Sequence, residues 1–135
     1  MDKTLTAGEI NGHLLAYLGD AQLELLIRKR LVLGGGRLGE LNKQADALVS
    51  AKAQVSALEK LLPFLTEEEL SAFKRGKNAK PKSVPKSVTQ LEYRKATGVE
   101  AVFGYLSLRG DTARMEYLIQ KAYFDGDSSD NKKEN

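Results

Sequence analysis

Apolar positions recur with a helical period along most of the chain, and no stretch shows the sustained two-residue alternation of a half-buried strand. The apolar pattern at the start of the chain predicts a helix over about 8–18. A second helix is predicted over about 20–33, apolar on nearly all sides and therefore central. Three glycines at 34–36 end it, because glycine favours helix termination. The pattern predicts an all-α fold.

The middle of the chain continues the helical pattern over about 38–62, with a break expected near Ser50 and an end at Pro63. Thr66 and Glu69 then have the spacing of a capping box, followed by an acidic first turn that suits the helix dipole. A further helix is therefore predicted to begin at Thr66.

The last third begins with residues 73–88, where two prolines, a glycine and few apolar residues predict a loop. Helical pattern returns over about 91–108. Asp111 follows in a turn and is expected to cap a last helix that reaches about Phe124.

Composition narrows the class of protein. The 135 residues suffice for one domain, expected over 1–125, with a polar, disordered tail over 126–135. Cysteine is absent and His13 is the single histidine, which excludes disulfides, cysteine nucleophiles and multi-histidine metal sites. The apolar runs are too short to cross a bilayer, and the N-terminus lacks the apolar core of a signal peptide. We expect a cytoplasmic protein without a membrane partner.

The charge is unevenly distributed. Residues 71–95 carry eight basic side chains and one acidic, whereas 1–70 carry eight and ten, and 96–135 carry five and seven. A cluster of one sign favours contact with a polyanion, and its glycine, asparagine and prolines suit phosphate contacts from a loop. The alternative is a solvated loop that serves solubility alone. The cluster contains Lys74, Arg75, Lys77, Lys80, Lys82 and Lys86.

Two isolated acids lie within apolar helical pattern, Asp20 beside Gly19 and Glu100 near Gly104. Paired carboxylates from facing helices are a common way to hold Mg²⁺, which prefers oxygen ligands. Simpler interpretations remain open for both acids: Asp20 can cap a helix that starts after Gly19, and Glu100 can pair with Arg94 or Lys95. Glu24, one turn after Asp20, is expected to pair with Arg28 instead.

These residues resemble the ribonuclease III family. "YLGDA" at 17–21 and "VEAVFGYL" at 99–106 resemble the two acidic motifs of its catalytic domain. The resemblance is closest to Mini-ribonuclease III, the short bacterial form without a double-stranded-RNA-binding domain. It continues through "LNKQADALVSAKAQ" at 41–54, "FKRGKNAK" at 73–80 and "EYRKATGVEAVFGYL" at 92–106.

The resemblance implies an all-helical bundle that works as a homodimer and cleaves double-stranded RNA. It implies hydrolysis that depends on Mg²⁺, with Mn²⁺ as a substitute, and that leaves 5′-phosphate and 3′-hydroxyl ends. The implied substrate is the precursor of 23S ribosomal RNA, and the implied helper is a ribosomal protein of the large subunit.

The site residues follow from the same motifs. Asp20 and Glu100 match the family's catalytic, metal-binding acids. The basic segment, which we define as residues 74–86, matches a region implicated in duplex contact. Its expected RNA-binding residues are Lys74, Arg75, Lys77, Asn78, Lys80, Lys82 and Lys86.

The carboxylate set is thinner than in the longer members of the family. Where those carry acids one and two turns before the first-motif Asp, this chain has Ala16 and His13. Thr97 stands where they carry an Asp three residues before the second-motif Glu. Glu40 lies near another acidic position without matching it. The sequence leaves open whether one or two metal ions bind.

Two other functions remain open from sequence. A non-catalytic ribosome assembly factor that binds duplex RNA is compatible with the thin carboxylate set. A helical DNA-binding regulator ranks last, because the basic groups lie mainly in a loop that contains proline and not on a recognition helix.

Overall fold

The computed structural model describes residues 5–81 and 83–125, and within these ranges it contains only helices and their connections, which confirms the all-α prediction. A 3₁₀ turn, Leu62–Phe64, follows the third helix, and a π-helical turn, Gln120–Phe124, continues the last. None of the described helices is long and apolar enough to cross a membrane. The predicted tail and Lys82 lie outside the described residues. The helices are α1 Gly12–Leu33, α2 Leu38–Val49, α3 Ala51–Leu61, α4 Glu67–Asn78, α5 Gln90–Arg109 and α6 Thr112–Ile119.

Several helix boundaries follow local capping chemistry, and the predicted caps at Thr66 and Asp111 are confirmed. The backbone N–H of Glu69 donates to Thr66 Oγ1 at 3.1 Å, and the Thr66 N–H donates to Glu69 Oε1 at 2.9 Å, which completes the capping box. Ser50 breaks the helical stretch and caps α3, and Asp111 caps α6. A second capping box, between Thr89 and Glu92, begins α5 and was not predicted.

The predicted break at Gly19 is wrong, because α1 runs without interruption from Gly12 to Leu33. Its N-cap is Asn11, whose side chain accepts from the Leu14 N–H at 3.0 Å. Asp20 therefore lies in the middle of a helix and caps nothing. Gly19, which suggested a helix end, instead allows α1 to pack closely against another helix.

Gly19 lies where α1 crosses α5. A Cβ atom on Gly19 would stand 1.6 Å from the carbonyl oxygen of Glu100, and one on Gly104 would stand 1.8 Å from that of Leu15. The two helix backbones therefore touch, and α1 with α5 makes the most extensive contact in the fold. Helix α5 is the central element, with side chains such as Phe103 fully buried.

The predicted loop over 73–88 is wrong in its first part, because α4 continues through Asn78. Tertiary packing extends the helix. Phe73 is buried against Gly98 of α5, and a Cβ on Gly76 would stand 2.6 Å from the Cβ of Ala101. Gly76 therefore allows α4 to approach α5 closely, and the loop proper begins after the helix ends.

A buried ion pair joins α4 to α6. Arg114 donates through Nε to Glu69 Oε2 and through Nη2 to Glu69 Oε1, both at 2.8 Å. Burial by itself would raise the pKa of Glu69, but the hydrogen bonds from Arg114 and from the Thr66 backbone outweigh it and lower that pKa. The carboxylate that completes the capping box thus also fixes the last helix.

We predict that Gly19→Ala and Gly104→Ala each lower the free energy of unfolding by about 3 kcal/mol or more, because the added methyl group meets a backbone carbonyl that cannot move aside. Gly39→Ala is the matched control, since a Cβ there has no neighbour within 4 Å and alanine favours a helix. Urea denaturation measures all three variants. Equal stability of Gly19→Ala and Gly39→Ala would contradict the close crossing.

Candidate active site

The crossing of α1 and α5 brings Asp20 and Glu100 together. Asp20 follows Gly19 on α1, and Glu100 lies one turn before Gly104 on α5. Their carboxyl groups are close enough to share a hydrogen bond when Glu100 is protonated. Asp20 is exposed and Glu100 is partly buried, so the pair is open to solvent on the Asp20 side.

The pair has an excess of negative charge. Burial, and then the neighbouring carboxylate of Asp20, raises the pKa of Glu100 to about 8. The ion pair of Glu100 with Arg94 or Lys95, considered from sequence, does not occur among the described residues. The predicted pair of Glu24 with Arg28 is confirmed, with 2.6 Å between Oε2 and Nη2.

Two hollows flank the carboxyl pair, and both are lined by Asp20, Tyr93, Thr97 and Glu100. The smaller hollow has a volume of about 230 Å³. The larger hollow has a volume of about 640 Å³. The loop between α4 and α5 borders both. The smaller hollow is otherwise lined by His13, Ala16, Tyr17, Ala79, Pro81 and Arg94, and the larger by Val49, Ser50, Ala51, Lys52, Pro85, Ser87, Val88 and Ala96.

Three positions at which the resemblance implies further acids in longer proteins lie at this site. His13, Ala16 and Thr97 line the smaller hollow around the pair. Within the residues that the structure describes, no cluster of three or more acidic, histidine or cysteine side chains could hold a metal ion. Among the described residues, the carboxylates available to a cation at the site are therefore those of Asp20 and Glu100, and water or a bound ligand can supply further oxygens.

A buried polar pair lies near Glu100. Tyr123 donates its hydroxyl to Oε1 of Gln54, which is fully buried on α3. Burial and the negative charge of Glu100 raise the pKa of the Tyr123 phenol, so it remains a neutral donor. Gln54 Nε2 has no hydrogen-bond partner among the described residues. Sequence reasoning missed this pair, whose members lie 69 positions apart.

The basic segment is part helix and part loop. Lys74 and Asn78 line a groove on α4 that also includes His13. Lys77 is partly buried on the same helix, while Lys80 and Lys86 are exposed on the loop. The segment therefore adjoins the carboxyl pair, which the sequence alone did not indicate.

Arg75 has a structural role, because the terminal nitrogens of its guanidinium bond to backbone carbonyls. Its Nη1 donates to the carbonyl oxygen of Ile10 at 2.6 Å and of Gly8 at 3.2 Å, and both terminal nitrogens reach the carbonyl of Ala7 at 3.4 Å. These bonds fasten the chain before α1 to α4. Arg75 lines the same groove as Lys74 and Asn78, and its contact with RNA stays a prediction.

The carboxyl pair fits a divalent cation. Among the described residues, the two carboxyl groups have no ion-pair partner. Burial and then repulsion from Asp20 raise the pKa of Glu100, and a cation would offset that repulsion. Asp20 is exposed, so water can complete the coordination. Asp20 and Glu100 are the residues that would hold such an ion.

Comparison with known proteins identifies relatives of this chain. Residues 13–111 match the family model of the Ribonuclease III domain. Mini-ribonuclease 3 of Symbiobacterium thermophilum is 44% identical over 109 residues, covering 80% of this chain and 84% of the relative. That of Enterococcus faecalis is 45% identical over 114 residues, covering 82% and 86%. A crystal structure of a Fusobacterium nucleatum protein, 38% identical, superposes with a TM-score of 0.76 and covers 83% of this chain and 90% of that one.

We predict that the metal-free protein loses stability as the pH rises from about 4.5 to 8. Glu100 binds its proton more tightly in the folded than in the unfolded state, so its protonation stabilises the fold. This contribution is fully present below about pH 4.5 and is lost as the pH rises to about 8. The slope should reach at most about 1.4 kcal/mol per pH unit. Urea denaturation in EDTA measures it, with Glu100→Gln as the control that lacks this contribution. Identical pH profiles for the two proteins would contradict the raised pKa.

Proposed function

Because the chain belongs to the ribonuclease III family, and within it to the Mini-ribonuclease 3 group, we propose that it is an endoribonuclease that depends on Mg²⁺ and hydrolyses double-stranded RNA. The observation that carries the proposal is the pair Asp20 and Glu100, which come together from two helices and line two hollows. A pair of this kind suits a reaction at a phosphodiester, where a cation must offset negative charge.

The two acids hold Mg²⁺ in this proposal. When bound, the ion neutralises charge on the phosphate and makes a water molecule a better nucleophile. Asp20 and Glu100 would hold the ion from two different helices. The contact of these helices at Gly19 and Gly104 keeps the two carboxyl groups close together. Glu100 must be deprotonated to act as a ligand, which a cation beside Asp20 favours. In-line displacement of the 3′ oxygen leaves 5′-phosphate and 3′-hydroxyl ends.

The basic segment binds the duplex in this proposal. Its residues Ala79, Pro81 and Pro85 line the hollows beside the carboxyl pair, and backbone phosphates are the groups that its basic side chains suit. Side chains without aromatic neighbours favour contact with the backbone over base stacking. The proposed contacts are Lys74, Arg75, Lys77, Asn78, Lys80 and Lys86, with Lys82 as a further prediction outside the described residues.

A second copy of this chain completes the enzyme in this proposal. The outer face of α1 exposes a stripe of large apolar side chains at helical spacing, with Leu14, Tyr17, Leu25 and Val32 exposed by 52%, 81%, 50% and 63%. A homodimer would bury the stripe and provide one active site for each strand of the duplex. Light scattering should then give about twice the chain mass of 14.8 kDa.

The proposed physiological substrate is the precursor of 23S ribosomal RNA, with a large-subunit ribosomal protein as helper and the cytoplasm as the place of action. Its support is the resemblance to the Mini-ribonuclease 3 group. Mapping 23S RNA ends in cells depleted of the protein tests this part. Retained precursor extensions are expected, and mature ends would exclude the role.

We predict that Asp20→Asn and Glu100→Gln each reduce cleavage of a long double-stranded RNA by more than about 100-fold at saturating Mg²⁺. Replacement of even an outer-shell partner of a metal costs about 10- to 100-fold, and these residues are proposed to contact the ion. A gel assay with Mg²⁺ and with EDTA measures this, with Glu24→Gln as the control because Glu24 pairs with Arg28. Duplex binding without cleavage in the wild type, with the helper present, would favour the assembly factor.

We predict that joint replacement of Lys74, Lys80 and Lys86 by Ala weakens duplex binding and flattens its salt dependence. The slope of log affinity against log salt should fall by about one unit for each lost phosphate contact. Fluorescence anisotropy over a range of salt concentrations measures the slope. The control is Lys43→Ala combined with Lys60→Ala, because both lysines lie outside the basic segment and line neither hollow. An unchanged slope in the triple variant would count against the basic segment.

A further inference from the structure

Two cations adjoin the carboxyl pair but belong neither to the proposed metal ligands nor to the basic segment. Arg94 lines the smaller hollow, and Lys52 lines the larger one. Each hollow therefore has one basic side chain of this kind on its wall, and the two side chains belong to different helices. Arg94 lies on α5 and Lys52 in the first turn of α3.

Arg94 has no protein acceptor in the part of the chain that the structure describes. Its Nε is buried without a hydrogen-bond partner, and its guanidinium makes no ion pair there. A buried donor without an acceptor is costly, so a ligand with acceptor oxygens would satisfy it. The planar fork of arginine suits the oxygens of a phosphate.

Lys52 is also unpaired within residues 5–81 and 83–125, but it is exposed. It lines the wall of the larger hollow beside Ser50 and Ala51, while Asp20 and Glu100 lie on another wall of the same space. An exposed ammonium is a mobile point charge, which tolerates more than one phosphate geometry.

The acidic pair creates a problem that these two cations can solve. Before a metal ion binds, the exposed carboxylate of Asp20 repels the RNA phosphates that must approach it, and one divalent ion offsets the charge at one phosphate only. The neighbouring phosphates on the same strand need positive charge of their own. The cations in the two hollows can supply this positive charge to the phosphates before and after the scissile one.

We propose that Arg94 and Lys52 bind the phosphates on opposite sides of the scissile phosphate, so that the cleaved strand crosses the carboxyl pair from one hollow to the other. The inference rests on the proposed function and extends it with the path of the strand. Arg94 makes the more specific contact because its fork is partly buried, and Lys52 contributes charge.

The first experiment measures single-turnover cleavage of a short RNA duplex by Arg94→Ala and Lys52→Ala. We expect Arg94→Ala to lower kcat/KM about 10- to 100-fold, as for loss of a hydrogen bond to a charged group, and Lys52→Ala to lower it less. Arg94→Lys should restore little, because lysine lacks the fork, whereas Lys52→Arg should stay near wild type. The matched controls are Lys95→Ala, next to Arg94 on α5, and Lys60→Ala, on the same helix as Lys52; neither residue lines a hollow.

The second experiment identifies the phosphate that each residue contacts. One duplex carries a neutral methylphosphonate immediately before the scissile phosphate, and another carries it immediately after. The loss caused by Arg94→Ala should disappear on one of these substrates, and the loss caused by Lys52→Ala on the other. A purely structural role would leave both losses unchanged on both substrates, and that result overturns the inference.

The outcomes separate this inference from the function on which it rests. If the wild type cleaves the unmodified duplex and both alanine variants match it, the strand path is wrong and the nuclease function stands. If the wild type does not cleave with Mg²⁺ and the helper, the proposed function fails first. Thermal melting checks each variant for folding, and Arg94→Gln replaces Arg94→Ala if the alanine variant unfolds.

Discussion

The site depends on the contact between α1 and α5 at Gly19 and Gly104. Their backbones touch, since a Cβ on either glycine would overlap a carbonyl oxygen of the other helix. Asp20 follows the first glycine, and Glu100 lies one turn before the second, so the packing that buries the core also forces two carboxyl groups together. A wider crossing would separate the acids, and a larger residue at either position would prevent the contact.

This contact places like charges side by side at a cost to the fold. Burial and the carboxylate of Asp20 raise the pKa of Glu100 to about 8, which means that the folded protein opposes ionisation of the residue. Repulsion of this kind persists only when the surrounding packing outweighs it, and it is typical of functional sites. Elsewhere the fold pairs its buried acid, since Glu69 receives two hydrogen bonds from Arg114. Glu69 has a positive partner within the protein, whereas the neighbour of Glu100 is another carboxyl group. This contrast supports a cation-binding role for Asp20 and Glu100.

The basic side chains of the described residues fall into two groups: some bond to the protein itself, and others are available to a ligand. Arg75 and Arg114 are engaged by carbonyl and carboxylate oxygens of the protein. Lys52 and Arg94 lie in the hollows without such partners in the described part of the chain. A negative centre with unpaired cations on its flanks suits a polyanion whose charge is neutralised at one point by a metal ion and beside it by side chains.

The sequence by itself determined the helical class, the three-glycine end of α1, the break at Ser50, the caps at Thr66 and Asp111, and the family through its two acidic motifs, because each depends on residues close together in the chain. Only the tertiary structure decided that Gly19 continues a helix, that Arg75 is engaged by backbone carbonyls and that Lys52 and Arg94 flank the acids. The reason is physical. A glycine can equally end a helix or admit another backbone, and which of these occurs depends on a helix about 80 residues away, whose packing no local pattern contains.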